Sequence, residues 1–261
     1  MTLLRHELKR SWKSLLIWTL AIGSMLAIAL LIYPEMKKQM ESLSAAMSSM
    51  GAFSSAFGMD QLNFGDLKGY YAIEIGNTVG LGGALFSALI AVGVLAKEEK
   101  NGTAEFLLTH PKRRSGIVTF KLLSVFFQIL VLNLVITLMA AASIAVIGEP
   151  VPWTELLNLH TAYFLMQLVL AGICFGISAF LRNGSLGIGL GLALGMYFLN
   201  IIANLTSGAE FLKYITPFGF ADGSDIISRG GIHTGRLLVG LAMAGAGIGI
   251  AYWKYTRKDI R

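Results

Sequence analysis

Long apolar runs alternating with short polar ones dominate this chain. Residues 14–33, 77–96, 117–147, 159–181, 186–207 and 235–253 are each close to or above the length of helix that crosses a hydrocarbon core, about 20 residues. A bilayer offers no hydrogen-bond partners to the backbone, so these runs are expected to be helices; no sustained ten-residue alternation points to a barrel. The predicted fold class is all-α and polytopic: a single transmembrane domain over 1–261 with six transmembrane helices and both termini on one side. Between the spans lie a terminal segment 1–13, an outer segment 34–76, an inner segment 97–116, an outer loop 208–234 and a tail 254–261.

Charge placement gives the orientation. With the N-terminus inside, the inner segments hold fifteen basic and five acidic residues, net +10, against six and ten, net −4, on the other side. The excess of lysine and arginine inside is the usual topology signal, so the expected arrangement is N-in/C-in. The chain's net charge of +6 sits in small clusters at span ends, a membrane pattern, and nucleic acid is not an expected partner. Four basic residues precede the first apolar run, but that run is long and ends in "LIYPEMKK" with no small-residue cleavage site, so it reads as a retained span. Leu4, Leu8, Trp12 and Leu15 with interleaved Arg5, Lys9 and Lys13 fit either an interfacial helix or the inner end of that span.

Composition agrees: 55% of the 261 residues are hydrophobic, 14% are charged, and thirty are glycine. The one cysteine, Cys174, lies in an apolar run and excludes an intrachain disulfide. In the outer segment Met36, Met40, Leu43, Met47 and Met50 recur at helical spacing, a stripe suited to packing or to irregular apolar ligands.

The span centres contain no Asp, Glu, Lys, Arg or His, which argues against an ion-coupled carrier. Their polar residues are neutral, among them Asn77, Asn133, Gln167, Asn200 and Asn204. Asn200 and Asn204 share a helix face, and either a translocation path or a bond between helices fits them. Gly187, Gly191 and Gly195 form a four-residue ladder that permits close helix contact within the chain or across a dimer. "GGIHTGRL" at 230–237 has Arg236 and Leu237 where a phosphate loop needs Lys and Ser/Thr, so it is not a nucleotide site. No serine-nucleophile or metal constellation stands up either, and no catalytic residue is expected.

The densest charged stretch, "AKEEKNGTAEFLLTHPKRRSG" at 96–116, carries its own helix signals. Asn101-Gly102 suits a helix stop, Thr103 a new cap, Glu105 a first-turn acid, and Pro111 an end two turns later. Phe106, Leu107 and Leu108 give that short helix an apolar surface. A compact helix of this kind between two spans is fitted to receive a push from a partner.

The residues "EEKNGTAEFLLTHPKRR" resemble the cytoplasmic segment between the second and third spans of ABC-2 type permeases, the membrane subunits of bacterial ATP-binding-cassette exporters. There an acidic pair, G-T-x-E-x-L-L-x-x-P and a following arginine recur. "YITPFGFADGSDII" is similar to their last outer loop, and "YWKYTRKDIR" to their basic tail. Lys100 and Asn101 stand where the family more usually has a basic pair. The resemblance implies that 103–110 is a coupling helix seated in a separate ATPase subunit, with Glu98, Glu99, Gly102, Thr103, Glu105, Phe106, Leu107 and Pro111 matching the motif. It also implies a second permease copy or a related permease, lipids as surroundings, a bacterial plasma membrane location, and no cofactor in this chain, with ATP and Mg on the ATPase. The implied function is export, and the methionine stripe and uncharged spans lean the substrate toward a hydrophobic or amphipathic peptide, drug or lipid. A membrane scaffold that recruits a partner through 97–116 is the alternative, and an ion-coupled carrier the third.

Overall fold

The computed structural model describes residues 2–39, 51, 55, 56, 62, 65–97, 113–181 and 186–257. Its long helices are α1 (Thr2–Lys38), α2 (Leu67–Ile75) continued through a π-helical turn (Gly76–Gly80) into α3 (Leu81–Val92), α4 (Arg114–Val146), α5 (Trp153–Ser178), α6 (Leu186–Leu205) and α9 (Thr234–Arg257). Short helices α7 (Leu212–Ile215) and α8 (Gly223–Arg229) and two 3₁₀ turns occupy the stretch between α6 and α9. Six of the resulting helical units are long and apolar enough to cross a membrane, and the described residues contain no strand.

The span boundaries differ from the apolar runs in an instructive way. α1 is one unbroken helix of 37 residues, about 55 Å long and therefore longer than the ~30 Å hydrocarbon layer. Leu4, Leu8 and Trp12 thus continue the first span instead of forming a separate interfacial helix. The second span begins at Leu67, ten residues before the apolar run, because Asp66 caps α2 through its side chain and Tyr70, Tyr71 and Ile75 are buried against the bundle. Of the methionine stripe, Met36 packs on the core at the end of α1, and Met40, Met47 and Met50 lie outside the described residues.

α2–α3 and α5 form the centre; their most apolar stretches are 61% and 67% buried, against 17% for α6 and 22% for α9. α1 packs along α4, α9 along α5, and α6 along α3. Tyr71, Phe86, Ile129 and Phe175 are inaccessible in the core, while Ile17, Met25, Leu138, Phe198 and Leu238 point outward. Large outward apolar side chains on every peripheral helix are what a lipid-facing surface requires. Lipid tails are as apolar as leucine, so the helices are held together by packing and hydrogen bonds. The tightest seam is α5 on α9: a methyl group on Gly176 would stand 2.7 Å from the Gly247 carbonyl oxygen, and one on Gly247 would stand 2.5 Å from that of Gly172.

Residues 208–234, expected as a loop, fold back as a cap on the bundle. Pro217, Phe218, Phe220 and Ile226 are buried, and the cap packs on α2, α5, α6 and α9. Arg236, near the start of α9 and 4% exposed, holds it there, donating to the Gly219 carbonyl at 3.1 Å, to Asp225 Oδ2 and to Glu210 Oε1 at 3.3 Å.

Candidate functional site

The end of the bundle that carries residue 2 also holds both flanks of the charged insert. Lys97 closes the second span and Arg113 opens the third; residues 98–112 lie outside the described part, and with them Glu98, Glu99, Gly102, Thr103, Glu105, Phe106, Leu107 and Pro111. Glu7 of α1 reaches between the flanks. Its Oε1 accepts from Lys121 Nζ of α4 at 3.0 Å, and its Oε2 from Lys97 Nζ at 3.5 Å. The first pair is dry, with side chains 5% and 0% exposed, and Lys121 also donates to the Val94 carbonyl at 2.9 Å. The neighbouring Leu95 amide donates to Ser178 Oγ of α5 at 2.9 Å, and Arg114 Nη1 donates to the Thr256 carbonyl of α9 at 3.5 Å. The two flanks are thereby tied to α1, α5 and α9, and both described termini lie at this end.

A cavity of about 260 Å³ opens beside Glu7, lined by α1, the end of the second span, α4 and Leu186 of α6. Its lining is mixed, polar at Ser11, Ser124 and Gln128 and apolar at Leu89, Ile90 and Val94.

At mid-bundle, Asn133 of α4 donates through Nδ2 to Gln167 Oε1 of α5 at 2.7 Å, and Gln167 Nε2 donates to the Val79 carbonyl at 3.3 Å. Val79 belongs to the π turn, so this bond ties the Gln167 amide of α5 to that turn. Asn133 is therefore an interhelical bond and does not line a described cavity.

Toward the capped end, Asn77, Asn200 and Asn204 converge. They line a cavity of about 60 Å³ with Tyr163, Tyr197 and Asp222, between α2, α5, α6 and the cap. Asn204 Nδ2 donates to Asp222 Oδ2 at 3.1 Å, joining α6 to the cap, while the buried Asn200 Oδ1 has no donor. The π-turn glycines make room for Tyr163: a methyl group on Gly76 or Gly80 would lie 3.0 Å from its ring or hydroxyl. The small volume suits a few waters or closure by side-chain rearrangement. Gly187, Gly191 and Gly195 are exposed on α6, and nothing lies within 4 Å of the Cβ positions of Gly191 and Gly195. Gly189 of α6 does meet the chain's own helices, against Ala88 and Val92.

The chain matches the family described as ABC-2 family transporter protein over residues 1–260. The chain belongs to the ABC-2 transporter family. No curated protein shows a significant match. An ABC-2 chain is a multi-pass permease subunit of an ABC-type transporter, a family that works with a separate ABC ATPase.

Within this ABC-2 permease, "YITPFGFADGSDII" is the body of the cap, with Asp222 capping α8 by accepting from the Ser224 amide at 3.0 Å. "YWKYTRKDIR" is helical as far as Arg257, and Tyr252 meets Thr119 of α4 hydroxyl to hydroxyl at 2.7 Å. Sequence reasoning passed over the Glu7 cluster and the Arg236 clamp. Both side chains sit near helix ends, where a charge ordinarily reads as solvated, and nothing in the spacing of Glu7 and Lys121 brings them together.

Proposed function

We propose that this ABC-2 permease exports a hydrophobic or amphipathic substrate from a bacterial plasma membrane, driven by ATP and Mg held on a separate ATPase subunit. In this reading the chain is N-in/C-in and works as one of two permease copies, and residues 103–110 are the coupling helix. The observation that supports it most is the anchoring of the insert's flanks: Lys97 and Lys121 share Glu7, so a displacement of the insert is carried into α1 as well as into the two spans it joins. Interfaces of this kind shift between discrete packings instead of deforming continuously. Closing of the ATPase pair then draws the two inserts together and changes how α1 and α4 sit on the central helices. The outer cavity of Asn77, Asn200 and Asn204, under a cap clamped by Arg236, is the place where such a shift opens or seals the far side. The outward glycines of α6 are the candidate seam with the second copy.

The test is co-purification with the ATPase subunit. The wild-type chain is expected to retain it, and Phe106→Asp or Glu105→Lys to lose it while keeping the same melting temperature. Retention by both variants would sink the coupling assignment. Transport that runs on an ion gradient in vesicles without ATP would sink the proposed drive.

A further inference from the structure

Four acids at the capped end, Glu149, Glu155, Glu210 and Asp225, each meet a lysine or arginine. Asp222 meets neutral donors only: the Ser224 amide and hydroxyl on Oδ1, at 3.0 and 2.6 Å, and Asn204 Nδ2 on Oδ2 at 3.1 Å. No lysine, arginine or histidine lines the cavity under the cap that it borders, and residues 39–67 contain none in sequence. The carboxylate therefore has no cation of its own there. The same cavity holds oxygens that lack a donor. Asn204 commits Nδ2 to Asp222 and, at 3.4 Å, to the Ala56 carbonyl, which fixes the orientation of the amide and leaves its Oδ1 without a donor among the described residues. Tyr163 is 4% exposed, and its hydroxyl makes no hydrogen bond among the described residues. Neither oxygen is sealed in protein, in contrast to Asn200 Oδ1. Tyr197 and Phe218 add two aromatic rings, edge to face with centroids 5.4 Å apart.

We propose that the cavity under the cap binds the primary ammonium of an alkylamine, its charge facing Asp222, its protons donated to Asp222 Oδ2, Asn204 Oδ1 and the Tyr163 hydroxyl oxygen, and its first methylenes against Tyr197 and Phe218. A carboxylate without a cationic partner attracts a cation and repels an anion, and aromatic rings favour an organic cation. The count of acceptors narrows the class further. A primary ammonium has three protons to donate, a quaternary ammonium has none, and hydrogen bonds between charged groups are the strong ones. The volume of about 60 Å³ suits a few waters, and an ammonium group with its first methylenes is of that size. That the amine belongs to the exported substrate rests on the proposed function; the binding does not, and it is read without ATP or the ATPase.

The experiment uses the full chain in amphipol at pH 7 and three radiolabelled probes of equal alkyl length: butylamine (charge and protons), butyltrimethylammonium (charge, no protons) and butanol (one hydroxyl, no charge). The unaltered chain is expected to bind butylamine about tenfold more tightly than either of the others, the worth of one charge-assisted hydrogen bond. Equal binding of the three would overturn the site, and this measurement needs no variant to fold. Asp222→Asn keeps an equally good helix cap while removing the charge, and is expected to weaken butylamine about tenfold and spare butanol. Tyr163→Phe is expected to weaken butylamine about threefold to tenfold. Butylamine binding untouched by both substitutions would overturn the assignment. Sodium chloride exchanged for choline chloride at constant ionic strength is expected to leave butylamine in place; displacement by sodium would make this an alkali-ion site and overturn the ammonium reading. Location is read separately, on Asn200→Cys, where butylamine is expected to slow maleimide labelling and butyltrimethylammonium is not. Labelling that butylamine fails to slow, with binding intact, would move the amine out of this cavity and overturn the proposal.

Discussion

Lys121 donates to Glu7 at 3.0 Å with both side chains out of solvent, joining α1 to α4 across 114 positions of sequence. A buried pair contributes little over apolar packing, but removing one partner strands the other charge, at about 3–5 kcal/mol. Glu7→Gln is therefore expected to lower the melting temperature of the detergent-solubilised protein sharply, and Glu7→Gln with Lys121→Met to lie closer to wild type than Glu7→Gln alone. A Glu7→Gln protein as stable as wild type would show that the pair is not dry in solution.

The α5–α9 seam and the α6 ladder make opposite predictions for the same chemical change. Gly176→Ala places a carbon 2.8 Å from Gly247 Cα, so the helices must part, and overpacking of that kind costs about 1–3 kcal/mol. Gly191→Ala meets nothing within 4 Å and is expected to stay within about 0.5 kcal/mol of wild type. Gly191→Leu separates packing within the chain from packing between chains: unchanged melting together with a shift from pairs to single copies in native mass spectrometry is the expected outcome. Unchanged pairing would remove α6 from the proposed seam.

The six spans were legible because hydropathy reports on lipid contact, and outward residues such as Ile17 and Leu238 are most of what it sees. Start points were less so. α2 begins among Lys68, Tyr70 and Tyr71, polar residues that Glu155, Ala29, Tyr33 and His160 receive; Tyr70 donates to the Ala29 carbonyl at 2.9 Å and Lys68 to Glu155. Periodicity cannot register partners that distant in sequence. The α6 glycines were conspicuous because they repeat, while the seam that closes on itself uses Gly172, Gly176 and Gly247 from two separate helices. Asn77, Asn200 and Asn204 were visible as polar residues in apolar runs, but their convergence depends on the cap, whose fold follows from Asp222, Thr216 and Arg236 acting together.

Orientation is testable directly, because the chain's one cysteine is buried and gives a quiet background. Lys9 and Ser228 are exposed at opposite ends of the bundle. In spheroplasts a membrane-impermeant maleimide is expected to label Ser228→Cys at once and Lys9→Cys after lysis. The reverse pattern would invert the topology and remove the insert from the cytoplasm.

The Asn133–Gln167–Val79 chain sets the shape of the π turn, and its strength can be measured. Gln167 is fully buried and fits because position 83 is glycine; a methyl group there would stand 2.1 Å from Gln167 Nε2. Gly83→Ala therefore displaces the amide and breaks both of its bonds. Interhelical side-chain bonds in membranes average about 0.6 kcal/mol and reach about 1.7. A cycle of Asn133→Leu, Gln167→Leu and the double variant is expected to give a coupling in that range. Gly83→Ala is expected to cost more than Gln167→Leu, because it adds a steric clash to the lost bonds. Val79 and the glycines beside Tyr163 lie in the same five-residue turn, so the same substitution is also expected to alter labelling of a cysteine placed at Asn200 in the cavity under the cap. Unchanged labelling, with the stability loss present, would show that the mid-bundle chain serves packing alone and does not govern the cavity under the cap.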